Sequence, residues 1–311
     1  MIRKINIARH GGFCFGVKRA VEMALEAGED AKSNSHQVVM LGDIVHNEHV
    51  IEKIDESGVK VVQELDHNEK GTLLLRAHGS TPSVYKEAEE LGYDILDATC
   101  PLVLEIHEIV RDMAHEDYRI AIIGDHGHDE VRGIAGQVDD AIVISSADEV
   151  EKAIPRKIKK LGVVVQSTQN IDNVRQVMTE LVGRVDELKF VNTICGPTKA
   201  YQREIRHMPL ENDVMIIVGS FTSANTCRLT EISKSLNPRS YQVQSVEELN
   251  PEWVEDAVQV GISSGASTPD WVIQSVVDKL MEICLQTGNE APEVFPKRYD
   301  RNHHQHSKTG S

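Results

Sequence analysis

The sequence predicts an α/β fold of three small, pseudo-equivalent units with mainly parallel sheets, and three observations support this prediction. First, the strand-like runs are short, rich in valine, isoleucine and leucine, and uninterrupted, as in RIAIIG and VMIIVG. Such runs are typical of parallel strands that are covered on both faces. Second, they alternate with segments of helical periodicity, which is the pattern of α/β architectures. Third, the same order of elements recurs in each third of the 311-residue chain.

The repeated layout begins with a cysteine that ends a strand-like run and opens a helix. An apolar strand follows and ends at a glycine, which is Gly42, Gly124 or Gly219 in the three copies. Another apolar strand then ends in small or hydroxylic residues before a further helix. Ligands of open α/β sheets bind beyond the carboxyl ends of the strands, so the equivalent loops are expected to converge at one centre.

This repeat also predicts where the chain divides. The string STP at 80–82 and at 267–269 is typical of an N-cap followed by proline in the first helical turn. The expected divisions are a first α/β unit over 14–99, a second over 100–194, a third over 195–288 and a disordered C-terminal tail over 289–311. A strand within 1–13 is a candidate to join the third unit.

Composition and charge exclude several classes of protein. A formal net charge of −16 argues against a general binder of nucleic acid or anionic membranes, which needs a basic surface. No apolar run approaches the roughly 20 residues of a membrane span. The N-terminus MIRKINIARHGGFC lacks the apolar stretch of a signal peptide. We therefore expect a cytoplasmic protein with neither nucleic acid nor membrane as a partner.

Three of the five cysteines occupy equivalent places in the units: Cys14, Cys100 and Cys195. Soft thiolates that meet at one point suit an iron–sulfur cluster, zinc or copper, and the absence of a close CxxC pair disfavours a structural zinc finger. On a four-iron cluster, three cysteines leave one iron without a protein ligand, which indicates chemistry rather than simple electron transfer. The alternative is that the cysteines are small buried hydrophobes, and this interpretation stays for Cys227 and Cys284.

The loops that follow the strands are rich in hydrogen-bonding side chains. They carry His46, Asn47, His78, His128, Glu130, Ser167, Thr168, Ser223, Asn225 and Ser267. Imidazole, hydroxyl and amide groups, aided by helix N-termini, can bind phosphate without many lysines, which suits an acidic protein. The chain has no P-loop and no GxGxxG at a first βα turn, so nucleotide binding has little support. Each histidine alone is equally explained as a loop cap or a core residue.

The string HGHDE is the most informative local motif. It separates His128 and Glu130 by two positions, so that an imidazole and a carboxylate can face one ligand and relay a proton. In a cavity, burial would raise the pKa of Glu130 and let it hold a proton to donate. The alternative is a solvated acid in the charged loop DHGHDEVR.

A series of strings runs in order between residues 10 and 270: GFCFGV, VHN, AHG, DATCP, HGHDEV followed by GQ, QST, TIC, SxN and GAST-PD. In this order they resemble the 4-hydroxy-3-methylbut-2-enyl diphosphate reductase family, also called LytB or IspH. The resemblance implies a trefoil of three α/β units around an iron–sulfur cluster, expected as [4Fe-4S] or, as isolated, [3Fe-4S]. It also implies two-electron reductive dehydroxylation of an allylic diphosphate to isopentenyl and dimethylallyl diphosphates, with electrons from ferredoxin or flavodoxin.

The resemblance further implies a role for each matching residue. The implied cluster ligands are Cys14, Cys100 and Cys195, and the implied catalytic residues are Glu130, His128 and Ser167. The implied substrate-binding positions are His46, His78, His128, Ser167, Thr168, Ser223, Ala224, Asn225 and Ser267. Among the matching residues, Glu130 corresponds to the acid that delivers protons to the leaving hydroxyl. Ser167 and Thr168 correspond to residues near that hydroxyl.

The sequence departs from the family pattern in three places. Ala224 stands where an SSN run would have serine, GPTKAYQ after Cys195 places Lys199 and Tyr201 at altered positions, and Ser167 replaces a threonine but keeps the hydroxyl. Two alternative functions stay open at this point. One is a cluster-dependent reductase or dehydratase of another small phosphorylated alcohol, and the other is a cluster-binding redox sensor without turnover.

Overall fold

Short parallel strands organise the chain into three sheets. The computed structural model describes residues 2–34, 37–66, 71–286 and 290–296. In chain order its strands are β1 (Lys4–Ile7), β2 (Val38–Leu41), β3 (Val59–Val62), β4 (Thr72–Leu75), β5 (Asp94–Asp97), β6 (Arg119–Ile123), β7 (Ile142–Ile144), β8 (Ile158–Val165), β9 (Val185–Phe190), β10 (Val214–Val218), β11 (Ser240–Val243), β12 (Gln259–Ser264) and β13 (Glu293–Phe295). All the pairings between these strands are parallel.

Helices connect the strands, as parallel pairing requires. They are α1 (Phe15–Asn34), α2 (Glu48–Ser57), α3 (Pro82–Leu91), α4 (Pro101–His115), α5 (Asp129–Ala135), α6 (Val150–Ala153), α7 (Ile171–Val182), α8 (Gly196–Ile205), α9 (Met208–Glu211), α10 (Ala224–Leu236) and α11 (Asp270–Gln286). In the described ranges, none of these helices combines the length and apolarity that crossing a membrane requires.

The three sheets share one strand order. The order is β3-β2-β4-β5 in the first, β7-β6-β8-β9 in the second and β11-β10-β12-β1-β13 in the third. The N-terminal strand β1 therefore holds in the third sheet the place of β5 and β9 in the others, and it pairs with β12 from Lys4 to Ile7. The predicted α/β fold of three units with parallel sheets is confirmed.

Apolar residues cover both faces of each sheet, which explains the uninterrupted hydrophobic runs. In β6, for example, Ala121 and Ile123 belong to one buried cluster. Their neighbours Ile120 and Ile122 belong to another buried cluster on the opposite face of the sheet. Similar pairs of clusters flank the first sheet and the third sheet. Each unit therefore has its own core.

The C-terminal segment differs from the prediction of a disordered tail from 289 onwards. Residues Glu293–Phe295 form β13, which pairs with Lys4–Asn6 of β1 at the edge of the third sheet. For these three residues the prediction is wrong. The strand is too short to show a period of its own, and its order comes from backbone hydrogen bonding to β1. The remaining tail, 297–311, lies outside the described residues.

Strand direction decides where the functional loops lie. Since the strands of each sheet are parallel, their carboxyl ends share one edge, and the loops that follow them gather there. The fourth strand of each sheet leads to one cysteine: β5 to Cys100, β9 to Cys195 and β1 to Cys14. The other strand ends carry the histidine, serine and acidic residues that the sequence analysis identified.

Candidate functional site

The loops of all three units surround one cavity. Counted out to its open mouth, the cavity holds about 820 Å³ of empty space. The lining includes all of the predicted site residues, namely Cys14, His46, His78, Cys100, His128, Glu130, Ser167, Thr168, Cys195, Ser223, Ala224, Asn225 and Ser267. Among the described residues that line it, none is a lysine or an arginine. The structure thus brings the predicted site residues together in one cavity, where their neutral donors lie among apolar side chains. Asn47, also a candidate from its loop position, is instead the N-cap of α2 and does not line the cavity.

Each of the three cysteines lies at the N-terminus of a helix, with its sulfur close to backbone N–H groups. The N–H of Val17 donates to Cys14 Sγ at 3.5 Å, and the N–H of Thr198 donates to Cys195 Sγ at 3.4 Å. Cys100 is the N-cap of α4. A side chain at Gly16 would clash with Cys100, because its Cβ would lie 2.5 Å from the Sγ atom. Helix N-termini favour the thiolate form, which is the metal ligand.

Burial alone works against these thiolates. Burial, together with the neighbouring sulfurs of Cys195 and Cys100, raises the pKa of Cys14 to about 11, against a hydrogen bond from the Val17 N–H that lowers it. Burial likewise raises the pKa values of Cys100 and Cys195, against hydrogen bonds that lower them. Three partly buried thiols with raised pKa values, each at a helix N-terminus, are therefore a donor set that a cationic centre would help to ionise.

The spacing of the sulfurs argues against a single zinc ion. Zinc binds thiolates at about 2.3 Å, so three sulfurs on one tetrahedral ion lie about 3.8 Å apart. Within the described ranges, the three ligand atoms that fall within 4.8 Å of one another belong to His46, His78 and Asp129, not to the cysteines. The thiols are near enough to raise one another's pKa but spread more widely than one ion requires. Soft, widely set thiolates fit an iron–sulfur cluster.

Three histidines form one wall of the cavity. The His46 and His78 rings stack with their centroids 4.7 Å apart, and His128 lies edge-on to both at 5.5 and 5.6 Å. Burial lowers the pKa of His128 to about 4 and that of His78 well below its ordinary value, and the neighbouring rings add to both effects. These two imidazoles are therefore neutral at physiological pH.

The backbone fixes which nitrogen of His128 carries the proton. As the N-cap of α5, its Nδ1 accepts a hydrogen bond from the N–H of Glu130 at 3.2 Å. A neutral imidazole that accepts at Nδ1 carries its proton at Nε2. His128 thus has one N–H to offer to a ligand.

Glu130 is a buried acid at the start of α5, with an exposed fraction of 3%. The Ser167 N–H donates to one carboxylate oxygen at 2.5 Å, and the Ser167 hydroxyl donates to the other at 2.7 Å. Burial raises the pKa of Glu130, although the two hydrogen bonds from Ser167 act in the opposite direction. The side chain is therefore suited to holding a proton above the pH range of an ordinary glutamic acid.

The start of α10 forms the polar wall contributed by the third unit. Ser223 is its N-cap and accepts from the Thr226 N–H at 3.4 Å, and Ser267 Oγ lies 3.4 Å from Ser223 Oγ. Asn225 is 4% exposed, and neither its amide nitrogen nor its carbonyl oxygen has a partner among the described residues. Buried polar atoms are normally paired, so this orphaned amide indicates a missing ligand.

Two pairs of charged residues that no sequence motif indicated lie beside the cavity-lining residues. Arg76 Nη1 donates to Asp129 Oδ2 at 2.7 Å, and that oxygen lies 3.9 Å from His46 Nε2. Arg228 donates to both oxygens of Asp125 at 2.6 and 2.7 Å. The partners are 53 and 103 positions apart in the chain, and no local pattern predicts such pairs.

Comparison with known proteins decides the family. Residues 5–281 match the family model described as LytB protein. The chain belongs to the LytB family. It is 38% identical over 281 residues to a Geobacter metallireducens protein named 4-hydroxy-3-methylbut-2-enyl diphosphate reductase, covering 90% of this chain and 98% of the relative. An Aquifex aeolicus relative of the same name is 39% identical over 284 residues, covering 90% and 96%.

Two solved structures share the fold. One is described as (E)-4-hydroxy-3-methyl-but-2-enyl diphosphate reductase, the terminal enzyme of the non-mevalonate pathway. It is 38% identical, with a TM-score of 0.65, and the match covers 91% of this chain and 100% of that one. The other is E-1-hydroxy-2-methyl-but-2-enyl-4-diphosphate reductase from Plasmodium falciparum, with 26% identity, a TM-score of 0.82 and coverage of 90% and 88%. Membership of the LytB family, expected from the motifs, is confirmed.

The residues that depart from the LytB pattern can be located in the structure. Ala224 is the first residue of α10 and lines the cavity without a donor of its own. Tyr201 is buried, and its hydroxyl donates to the Gly12 carbonyl at 3.1 Å, which ties α8 to the segment before Cys14. Lys199 is not among the lining residues. The GPTKAYQ segment thus supports the cysteine loops rather than the polar wall.

The cysteine assignment predicts which thiols retain iron. Cys14→Ser, Cys100→Ser and Cys195→Ser are each expected to lose most of the bound iron, because serine is a poor replacement for a soft thiolate ligand. Cys227→Ser and Cys284→Ser are matched controls outside the cavity lining and should keep the wild-type content. The measurement is iron and sulfide per chain after anaerobic purification. Iron loss in either control would contradict the assignment.

Proposed function

We propose that this chain catalyses the two-electron reductive dehydroxylation of (E)-4-hydroxy-3-methylbut-2-enyl diphosphate to isopentenyl and dimethylallyl diphosphates. The observation that carries the proposal is the single cavity in which a buried acid, three thiols and a set of neutral donors meet. The names of the similar proteins from Geobacter metallireducens and Aquifex aeolicus support the same reaction.

Cys14, Cys100 and Cys195 would hold an iron–sulfur cluster, in the [4Fe-4S] form. When bound, such a cluster supplies electrons one at a time and an iron that acts as a Lewis acid. The chain's own contribution is the thiolates and the N–H groups directed at their sulfurs, which stabilise the negative charge. The electron donor is expected to be ferredoxin or flavodoxin, and the cytoplasmic location stays a prediction from the sequence.

The polar wall would bind the diphosphate. The orphaned amide of Asn225 and the hydroxyls of Ser223 and Ser267 surround the N-terminus of α10, where helical N–H groups favour an anion. His46 and His78 complete this wall from the first unit. Since no lysine or arginine is among the described lining residues, binding depends on hydrogen-bond donors rather than on net positive charge.

Glu130, Ser167 and His128 would handle the leaving hydroxyl. Burial raises the pKa of Glu130 and so favours its protonated form, and Ser167 donates to its carboxyl group through both N–H and hydroxyl. A protonated Glu130 can protonate the substrate hydroxyl so that it departs as water. His128, through its Nε2–H, and Thr168, through its hydroxyl, line the same cavity and would orient the substrate.

We also propose that the three α/β units extend over 14–99, 100–194 and 195–288.

The reaction itself is tested on anaerobically purified, iron-loaded protein. With a chemical one-electron reductant, it is expected to convert the hydroxymethylbutenyl diphosphate into isopentenyl and dimethylallyl diphosphates, detected by chromatography. Ala224 removes one potential phosphate donor, so a second assay uses other small phosphorylated allylic alcohols. Reduction of one of those alcohols, with the hydroxymethylbutenyl diphosphate untouched, would refute the proposed substrate. A coloured protein that reduces neither would refute the enzyme.

Glu130→Gln tests the proton donor. The amide keeps the shape but cannot donate a proton to the leaving hydroxyl, so turnover is expected to fall by a factor on the order of 100 with substrate affinity retained. Because the pKa of Glu130 is raised, its protonated fraction falls as pH rises through that pKa, and wild-type turnover should fall with it. The turnover of Glu130→Gln should not show this fall with rising pH. The control Glu151→Gln alters an exposed carboxylate of the same unit. An unchanged rate in Glu130→Gln would exclude Glu130 from the proton path.

Asn225→Ala tests the phosphate wall. The dissociation constant of the substrate, measured without reductant, is expected to rise about 10- to 100-fold, as loss of a hydrogen bond to a charged group implies. The free energy of unfolding should stay equal or rise, since the change removes two unpaired buried atoms. Asn237→Ala is the control, because its Nδ2 donates to the Asn212 carbonyl at 2.8 Å. It should lower stability and leave affinity unchanged. The reverse pattern would contradict the assignment.

A further inference from the structure

The segment that carries His128 and Glu130 also contains two carboxylates, Asp125 and Asp129. One is bonded to an arginine of the third unit and the other to an arginine of the first unit. Asp125 precedes the histidine and pairs with Arg228 of the third unit. Asp129 stands between the histidine and the acid and pairs with Arg76 of the first unit. Both arginines cross a boundary between units.

Arg228 is buried and has more than one partner, whereas the side chain of Asp125 is 39% exposed. Arg228 lies on α10 with an exposed fraction of 8%, and its Nη2 is 2.6 and 2.7 Å from the two oxygens of Asp125. Its Nε donates to Gln169 Oε1 at 3.1 Å, in the loop that follows β8. The Asp125 N–H donates to Gln166 Oε1 at 2.8 Å, so this end of the loop is fixed through side chain and backbone.

The Arg76 contact is similar on the opposite side. Arg76 follows β4, and both its side chain and that of Asp129 are 18% exposed. The guanidinium passes close to Gly42, where a Cβ would lie 2.7 Å from Nη1 and where the backbone φ is +71°. The first unit thus leaves space for this side chain beside His46.

The ion pair also explains why His46, His78 and Asp129 are a poor site for a divalent cation. Their ligand atoms lie within 4.8 Å of one another, as a metal site would require. However, the Asp129 oxygen nearest to His46 already accepts a hydrogen bond from Arg76 at 2.7 Å. A second cation at that oxygen would be repelled by the guanidinium. The Asp129 carboxylate therefore serves as the partner of Arg76 across the boundary between the first and second units.

We propose that Arg76 and Arg228 are positioning residues that hold the loop of His128 and Glu130 against the first and third units. This inference rests on the proposed function. Each unit has its own core, so the two ion pairs are not needed to form the units. They act where the units meet, and a displacement of about 1 Å at a reacting group can cost a factor on the order of 100 in rate.

The test compares Arg76→Gln and Arg228→Gln with Arg132→Gln in the iron-loaded protein. Arg132 is the matched control, because it approaches the same Asp129 at 3.9 Å but is 70% exposed. Each positioning variant is expected to lower kcat about 10- to 100-fold, to change KM less than about threefold and to keep its iron. Arg132→Gln should match the wild type. Wild-type kcat in both variants, or an equal loss in the control, would overturn the proposal.

A second-site variant separates a positioning role from general damage. Asp129→Asn combined with Arg76→Gln is expected to lose no more activity than either single change, because both singles break the same contact. If the losses of activity in the two single variants multiply in the double variant, Arg76 and Asp129 have independent roles. That result would refute the proposal that Arg76 acts through its ion pair with Asp129.

Hydrogen exchange, measured without substrate, makes the outcome independent of the reaction. The amides of 126–131 are expected to exchange at least about tenfold faster in Arg76→Gln and Arg228→Gln, with Arg132→Gln and the amides of α11 unchanged. If the wild type fails to reduce the diphosphate, this exchange still decides whether the arginines hold the loop. Faster exchange with wild-type kcat, or lower kcat with unchanged exchange, would each refute the positioning role.

Discussion

The structure depends on bringing three sulfur atoms from distant parts of the chain to one cavity. Parallel strands make this possible, because every strand of a sheet delivers its following loop to the same edge. The fourth strand of each sheet leads to a cysteine, and β1 completes the third sheet so that Cys14 follows the same rule as Cys100 and Cys195. The pairing of β1 with β12 and the hydrogen bond from the Cys14 N–H to the Ala266 carbonyl together place the third thiol.

A second constraint is electrostatic. The chain carries a net charge of −16, yet the proposed substrate is an anion. The cavity offers neutral imidazoles, hydroxyls, an amide and a helix N-terminus, while Arg76 and Arg228 lie behind it, already paired with carboxylates. Preorganised dipoles of this kind stabilise charge without the desolvation cost of an unpaired buried cation. Burial raises the pKa of Glu130 and lowers that of His128, so one environment favours the neutral form of both groups.

Much of this arrangement could be predicted from the sequence, because strand ends carry clear local signals. The glycines Gly42, Gly124 and Gly219 and the equivalent cysteines located the loops, and parallel topology then required those loops to meet. The ion pairs of Asp125 and Asp129 left no such signal, since their partners are fixed only by how the units pack. The strand β13 was missed for a related reason: three residues show no period, and their order comes from β1. The sequence thus predicted which loop residues line the cavity, whereas it did not predict the ion pairs between units.

The precision of the site depends on how the three units pack against one another. Each unit folds around its own core, so the position of one loop relative to another is set at the boundaries between units. Two kinds of contact lie there: the close approach of Gly16 of the first unit to Cys100 of the second, and the two arginine pairs. The first brings two cysteine loops close together, and the arginine pairs join the segment of His128 and Glu130 to the first and third units. A cavity built between three units therefore depends on a few part-buried contacts for the precision that a single core would supply by packing.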